Sequence, residues 1–262
     1  MRRSLFHLLL SGLAILLLFF ILAPLIKLTT NSSAELVIST LQEEKVYQSI
    51  LLTFRASLTA TVITLVLGVP LAYLLARVDF PGRSVIEGLI NLPVIIPHTA
   101  AGIALLTVFG REALGGKLFG RLGIEFIGEF AGIVAAMMFV SLPFLVNEAK
   151  EGFRAVDNKL EKVARTLGAT PGQTFFKVAL PLNWNHILSG SIMMWARGLS
   201  EFGAVVILAY HPMTAPVLIY ERFTSYGLKH SSPIAIAMIL TTLLVFIGLN
   251  LLPTKGEKQN ND

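Results

Sequence analysis

Six long apolar runs are separated by polar stretches along this chain. They cover Leu5 to Ile26, Leu51 to Ala76, Ile86 to Phe109, Phe130 to Val146, Ile187 to Ala209, and Pro233 to Leu252. A helix needs about 20 apolar residues to cross a bilayer, so each run reads as a transmembrane span. The first follows Arg2 and Arg3 and is longer than the core of a cleaved secretory signal, and no small-x-small cleavage site follows it, so it reads as a retained span. Between the runs lie a polar loop with a short amphipathic helix (residues 27–48), a basic turn (77–83), a Gly-rich loop (110–129), the longest hydrophilic stretch (147–181), a further polar loop (210–232) and a polar tail. The third run contains Pro93 and Pro97. Two prolines four apart demand a local break, which is tolerated at membrane depth where protein or a watery cavity meets the freed carbonyls.

Composition supports the pattern. Of 262 residues, 54% are hydrophobic and 14% are charged, and mean hydropathy is +0.72. An ordinary soluble domain carries roughly 25% charged residues, so a water-soluble globule, a disordered chain and a coiled coil are all excluded. The net charge of +5 is mostly topological. Twelve of the 21 lysines and arginines fall at the N-terminus, the second loop, the fourth loop and the tail, against eight on the other side, with Arg197 inside a span. That bias puts both termini in the cytoplasm and argues against a nucleic-acid partner. The chain divides into an N-terminal span with its external loop (1–48), a five-span core containing the cytoplasmic loop 147–181 (49–253), and a cytoplasmic tail (254–262). No internal repeat is visible.

Reactive chemistry is sparse. There is no cysteine, and the five histidines form no His-Glu-x-x-His motif, so no metal site is expected. No Gly-x-Ser-x-Gly elbow is present, and no catalytic residue is assigned. Gly115-Gly116-Lys117-Leu118 fails as a phosphate loop, because Arg111 and Leu118 stand where Gly and Ser or Thr are needed. The chain is therefore expected to bind no cofactor itself.

Two features remain. In the cytoplasmic loop, Leu160, Val163 and Leu167 fall on one helical stripe. Gly168 fits a helix stop, and Thr170-Pro171 fits the cap and first position of a second helix. This helix–Gly–helix elbow is longer than an ordinary connection, and suits either a connector resting on lipid headgroups or a docking element for a soluble partner. In the fifth run, Arg197 and Glu201 lie at i and i+4 on one helix face. Ionisable residues inside a span are functional candidates; a mutual salt bridge that fixes the helix is the other reading. His98, after Pro97 at the broken third run, reads as a gate or pathway residue or as a histidine satisfied by the exposed carbonyls.

The elbow resembles the signature loop of prokaryotic ABC-importer permeases, in which Glu-Ala-Ala, three residues and Gly precede a distal Leu-Pro. Counted back from Gly168, those positions are Lys162, Val163 and Ala164. Ala164, Gly168 and Leu180-Pro181 match, Lys162 departs from the Glu, and Glu161 sits next door on another side of the helix. The run from Ala164 to Ala169 looks like the form found in permeases for molybdate, tungstate and sulfate, and Trp195 to Ala204 looks like that group's fifth-span motif. Asn91 to Thr99 and Thr214 to Arg222 look most like archaeal molybdate/tungstate permeases. The match covers about residues 49–252.

The resemblance implies an all-α membrane protein with six transmembrane helices and the type I ABC-importer permease fold, in the cell membrane. It further implies a homodimer of this chain, two ATPase subunits carrying ATP and Mg, and an extracellular oxyanion-binding protein delivering tungstate or molybdate, with sulfate as the competing cargo. Glu161, Lys162, Val163, Ala164, Arg165, Thr166, Gly168, Ala169, Thr170 and Pro171 would couple to the ATPase. Arg197, Glu201, Phe202, Pro97 and His98 are the translocation-pathway candidates. A secondary transporter is the reading from a different class; it would have no ATPase and no use for the elbow.

Overall fold

The computed structural model describes the backbone of residues 2–30 and 32–250 and the side chains of 6–30 and 32–248. The tail 254–262, with Lys255 and Lys258, lies outside the described residues, as do the side chains of Arg2 and Arg3. All regular structure among the described residues is helical. The order is α1 (Arg2–Thr30), α2 (Ala34–Gln42), α3 (Glu44–Arg77), α4 (Arg83–Ile95), α5 (His98–Phe109), α6 (Leu114–Gly120), α7 (Phe130–Ala155), α8 (Asn158–Thr166) and α9 (Pro171–Thr174). A π-helical turn (Phe175–Ala179) follows, then α10 (Leu180–Leu182), α11 (Trp184–Leu199), α12 (Gly203–Leu208), α13 (Ala215–Tyr226) and α14 (Leu228–Asn250).

Four of these helices are long and apolar enough to span a membrane: α1, α3, α7 and α14. The third expected span is two helices, α4 and α5, bent by 118° at the break, which makes a fifth span if the pair is counted as one. The cause is local. Pro97 pushes Ile96 before it out of helical geometry (φ −76°, ψ 148°) and then starts α5 as its cap residue. The expected fifth span is also divided. Helix α11 stops at Leu199 and α12 starts at Gly203, so residues 200–202 interrupt what reads in sequence as one run.

The chain forms two compact units. The first takes in the described residues of 1–48 and 218–251. Within it α1 is apolar all round and exposes its Leu and Phe side chains on every face, as a lipid-facing span does. Helix α2 is the amphipathic helix expected in the first loop. Ser33 caps it by accepting from the Leu36 N–H at 3.2 Å, and Val37 and Thr40 form its buried face.

The second unit takes in residues 49–217. Its centre is α7, which buries Ile133, Met137, Val140, Leu145, Val146 and Phe153. Helices in lipid gain little from the hydrophobic effect between themselves and depend on close packing at small residues. Here a Cβ at Gly190 of α11 would lie 2.9 Å from Glu148 Cβ of α7, and one at Gly152 of α7 would collide with Asn183 and His186. Helix α3 offers a hydroxyl face, with Thr53, Ser57, Thr61 and Thr64 all buried. Thr53, Thr61 and Thr64 return their hydroxyls to the carbonyl four residues back, at 2.6, 2.9 and 2.9 Å. Ser57 instead donates across to the Trp195 carbonyl of α11 at 2.7 Å, and a Cβ at Gly198 would collide with it.

Candidate functional site

The elbow forms as its sequence suggests. Asp157 caps α8 by accepting from the Lys159 N–H at 2.9 Å. The helix ends in a Schellman motif: the Ala169 N–H donates to the Ala164 carbonyl and the Gly168 N–H to the Arg165 carbonyl, both at 3.0 Å. That motif needs a left-handed residue, and Gly168 supplies it at φ +93°. Helix α9 opens with a capping box, in which the Gln173 N–H donates to Thr170 Oγ1 at 3.3 Å and the Thr170 N–H to Gln173 Oε1 at 2.9 Å. Pro171 takes the first helical position, where its missing N–H costs nothing.

The stripe of Leu160, Val163 and Leu167 faces outward, with Leu167 83% exposed. Lys162, Arg165, Thr166, Gly168, Thr170 and Pro171 are also exposed, while Ala164 and Ala169 are half-buried. Glu161 alone of the ten loop candidates is buried. Its Oε2 accepts from the Tyr73 hydroxyl at 2.6 Å and its Oε1 from Arg77 Nε at 2.7 Å. Tyr73 and Arg77 lie one turn apart at the end of α3.

The second group sits where the two helix breaks meet. Helix α5 packs against α12 so closely that a Cβ at Gly102 would lie 2.8 Å from Ile207 Cβ, and one at Gly203 2.7 Å from His98 Cβ. This contact brings His98 to Arg197 and Glu201. Glu201, only 1% exposed at its side chain, accepts from Arg197 Nη2 at 3.0 Å and stands 3.0 Å from His98 Nδ1, both at Oε2. Its Oε1 accepts from the Ala204 N–H at 2.9 Å, so the carboxylate also caps the start of α12. Arg197 Nη2 lies 2.9 Å from both ring nitrogens of His98. A neutral ring satisfies both neighbours when Nδ1 carries the proton for Glu201 and Nε2 accepts from Arg197, the tautomer assigned from this pattern. Arg197 Nη1 also donates to Ser200 Oγ at 3.2 Å.

Three of the five pathway candidates thus form one cluster, and His98 bonds to side chains there rather than to the carbonyls freed by the prolines. Pro97 is exposed and makes the break; Phe202 is half-buried against the apolar core. The Arg197–Glu201 charges cancel, so the cluster is no bare cation site. With Glu201 enclosed, Arg197 22% exposed and His98 35% exposed, the basic members line the open side.

Comparison with known proteins places these features in a family. Residues 65–254 match the family described as binding-protein-dependent transport system inner membrane components. The chain belongs to that family. It is similar to the molybdate/tungstate transport system permease protein WtpB of Thermococcus kodakarensis, with 43% identity over 251 residues covering 95% of this chain and 96% of the relative. It is also similar to the sulfate transport system permease protein CysT of a Synechocystis species, with 31% identity over 214 residues covering 80% and 75%. A chain from the crystal structure of a bacterial alginate ABC transporter, in complex with alginate pentasaccharide-bound periplasmic protein, shares the fold. Its TM-score is 0.68 at 18% identity, and the match covers 95% of this chain and 93% of that one. As an inner membrane component, the chain is a multi-pass protein of the cytoplasmic membrane and a transport subunit rather than an enzyme.

The matched segment of this inner membrane component holds both the elbow and the His98–Arg197–Glu201 cluster. Sequence reasoning did not find Tyr73 and Arg77, although their i, i+4 spacing on one face was a usable signal. It also missed Gly102 and Gly203, whose role exists only once α5 and α12 are packed together.

Proposed function

We propose that this chain is the translocating subunit of an ATP-driven importer for tungstate and molybdate. The observation that carries the reading is the near full-length similarity to a permease named for those oxyanions. Six spans with both termini in the cytoplasm fit the charge bias of the loops. Two copies of this chain would form the pathway, each resting on one ATPase subunit through the outward face of α8 and the elbow. The chain itself would hold no cofactor; ATP and Mg would act on the ATPase subunits. An extracellular binding protein would deliver the oxyanion.

The geometry gives each part of this reading a physical role. The exposed leucines and valine of α8, flanked by Lys162 and Arg165, offer an apolar stripe with basic edges to a soluble partner. Closure of the ATPase pair on ATP would rock packed helices between inward- and outward-open states. At the two helix breaks, Arg197 supplies N–H donors of the kind an oxyanion needs, with His98 bonded beside it. Glu201 holds them in place and cancels the charge of Arg197, so a passing oxyanion is bound weakly enough to leave. Sulfate is the second reading, favoured by the similarity to a sulfate permease.

The test is ATP hydrolysis in liposomes holding this chain and its ATPase, with the binding protein added empty or loaded. Stimulation by the tungstate- or molybdate-loaded form alone is the expected result. Stimulation by sulfate would keep the class and change the cargo. A folded chain that assembles with no ATPase would overturn the class.

A further inference from the structure

The buried face of α8 has a function separate from its exposed one. We infer that Glu161 is a positioning residue that fastens the ATPase-facing helix α8 to the membrane helix α3. The inference rests on the coupling role proposed above for the elbow.

The argument starts from direction. On a helix of two and a half turns, a partner reaches only the outward residues, here Leu160 and Val163 with Leu167 just beyond its end, edged by Lys162 and Arg165. Glu161 points the opposite way and is 7% exposed at its side chain, as Arg77 is at 10%. A carboxylate in that position needs donors, because burying it unpaired is costly. It has two, one on each oxygen, and both come from α3, 84 and 88 residues earlier in the chain. Arg77 is itself held, since its Nη2 donates to the Val156 carbonyl at 3.0 Å, the residue that caps the end of α7. Arg77 therefore grips both sides of the turn between α7 and α8.

Tyr73 completes the joint. Its ring meets Phe153 of α7 edge-on at 5.3 Å and Phe175 of the π-helical turn at 4.9 Å. One side chain of α3 thus touches the helix before the elbow, the first helix of the elbow and the segment after it. Bonded to α3 at both oxygens of Glu161, α8 cannot tilt without pulling on α3. Further along α3, Ser57 bonds the Trp195 carbonyl, two residues before Arg197. A push on the outside of α8 therefore has a continuous path of contacts to the cluster at the helix breaks. Such a path becomes a mechanism only when coupling is measured along it.

The measurement uses the complete importer in liposomes. Glu161→Gln keeps volume and removes charge. Tyr73→Phe removes one hydroxyl and keeps the ring against Phe153 and Phe175. Val163→Asp disturbs the outward face. Three readouts are taken for each: ATPase co-purification, stimulation of ATP hydrolysis by loaded binding protein, and cargo moved per ATP. The expected result is that Glu161→Gln still co-purifies with the ATPase, while stimulation and cargo per ATP fall by about tenfold, within the span of known coupling effects. Tyr73→Phe should fall by about threefold on the same scale. Val163→Asp should instead lose the ATPase. Wild-type cargo per ATP in folded Glu161→Gln and Tyr73→Phe complexes would overturn the inference. So would loss of the ATPase from Glu161→Gln with retention in Val163→Asp, since Glu161 would then be the partner contact. If Glu161→Gln fails to fold, Tyr73→Phe decides alone. A wild-type complex that shows no stimulation would overturn the coupling role itself, an outcome visible before any variant is made.

Discussion

Among the described residues, two enclosed carboxylates are paired with arginines, and they are built differently. Glu161 joins elements far apart in sequence, and its arginine is as enclosed as it is. Glu201 takes its arginine from the preceding turn of the same stretch of chain, and that arginine and its histidine neighbour are both partly open. A closed pair, enclosed on both sides and bonded to protein groups, acts as a fastener. An open cluster, in which a buried acid aims two basic groups at a solvent-accessible side, can exchange one partner for another. On the proposed function, the difference would give rigidity to the Arg77 end of α3 and exchange to the helix breaks.

The strongest way to break that comparison is to remove Glu201. In Glu201→Ala, Arg197 and His98 lose their common acceptor and the Ala204 N–H loses its cap. Removing one partner of a buried ion pair costs about 3–5 kcal/mol, because the other charge is left uncompensated. A marked fall in melting temperature and loss of transport are expected. Arg197→Ala leaves the enclosed Glu201 carboxylate without its cation, so it should destabilise at least comparably and be equally damaging to transport. If both variants fold and transport at wild-type rate, the cluster is only structural and the contrast with Glu161 disappears.

A smaller effect comes from a wedge that touches no polar side chain. Gly102→Ala puts a Cβ within 2.9 Å of the Ala204 carbonyl and against Ile207. Overpacking of this kind costs about 1–3 kcal/mol. It should spread α5 from α12, lengthen the His98 contacts and slow transport while leaving ATPase assembly intact. Comparing transport rate with ATPase co-purification in this variant separates the two ends of the unit.

These two places also differ in how far the sequence reveals them. The break before α5 is legible because proline acts on its own neighbours: Pro97 excludes Ile96 from the helix wherever the chain goes. The elbow is legible for the same reason, since Gly168, Thr170 and Pro171 act within one turn. The break after Leu199 has no proline or glycine at Ser200 or Glu201 to announce it, and a continuous span is the natural expectation. The spacing of Arg197 and Glu201 shows a shared face, but not that His98 joins them, because that contact depends on Gly203 and Gly102 admitting α5. Nor does the pattern of α8 show which face turns inward. Glu161 can be buried only because Tyr73 and Arg77 arrive from a distant segment, and no local rule records that.

The smallest effect sharpens the fastener. A Cβ at Gly168 would meet nothing within 4 Å, so Gly168→Ala adds no clash. What it adds is strain, since left-handed geometry costs an L-residue at φ +93° about 1–2 kcal/mol. That strain weakens the Schellman motif and loosens the turn between α8 and α9, while the bonds of Glu161 to Tyr73 and Arg77 stay in place. If those bonds set the position of α8, Gly168→Ala should reduce loaded-protein stimulation of ATP hydrolysis only about twofold, well short of the loss in Glu161→Gln. Gly168→Asn, which tolerates left-handed backbone better, should recover most of it. A loss in Gly168→Ala as large as in Glu161→Gln would move the stiffness of the joint from the buried carboxylate to the turn.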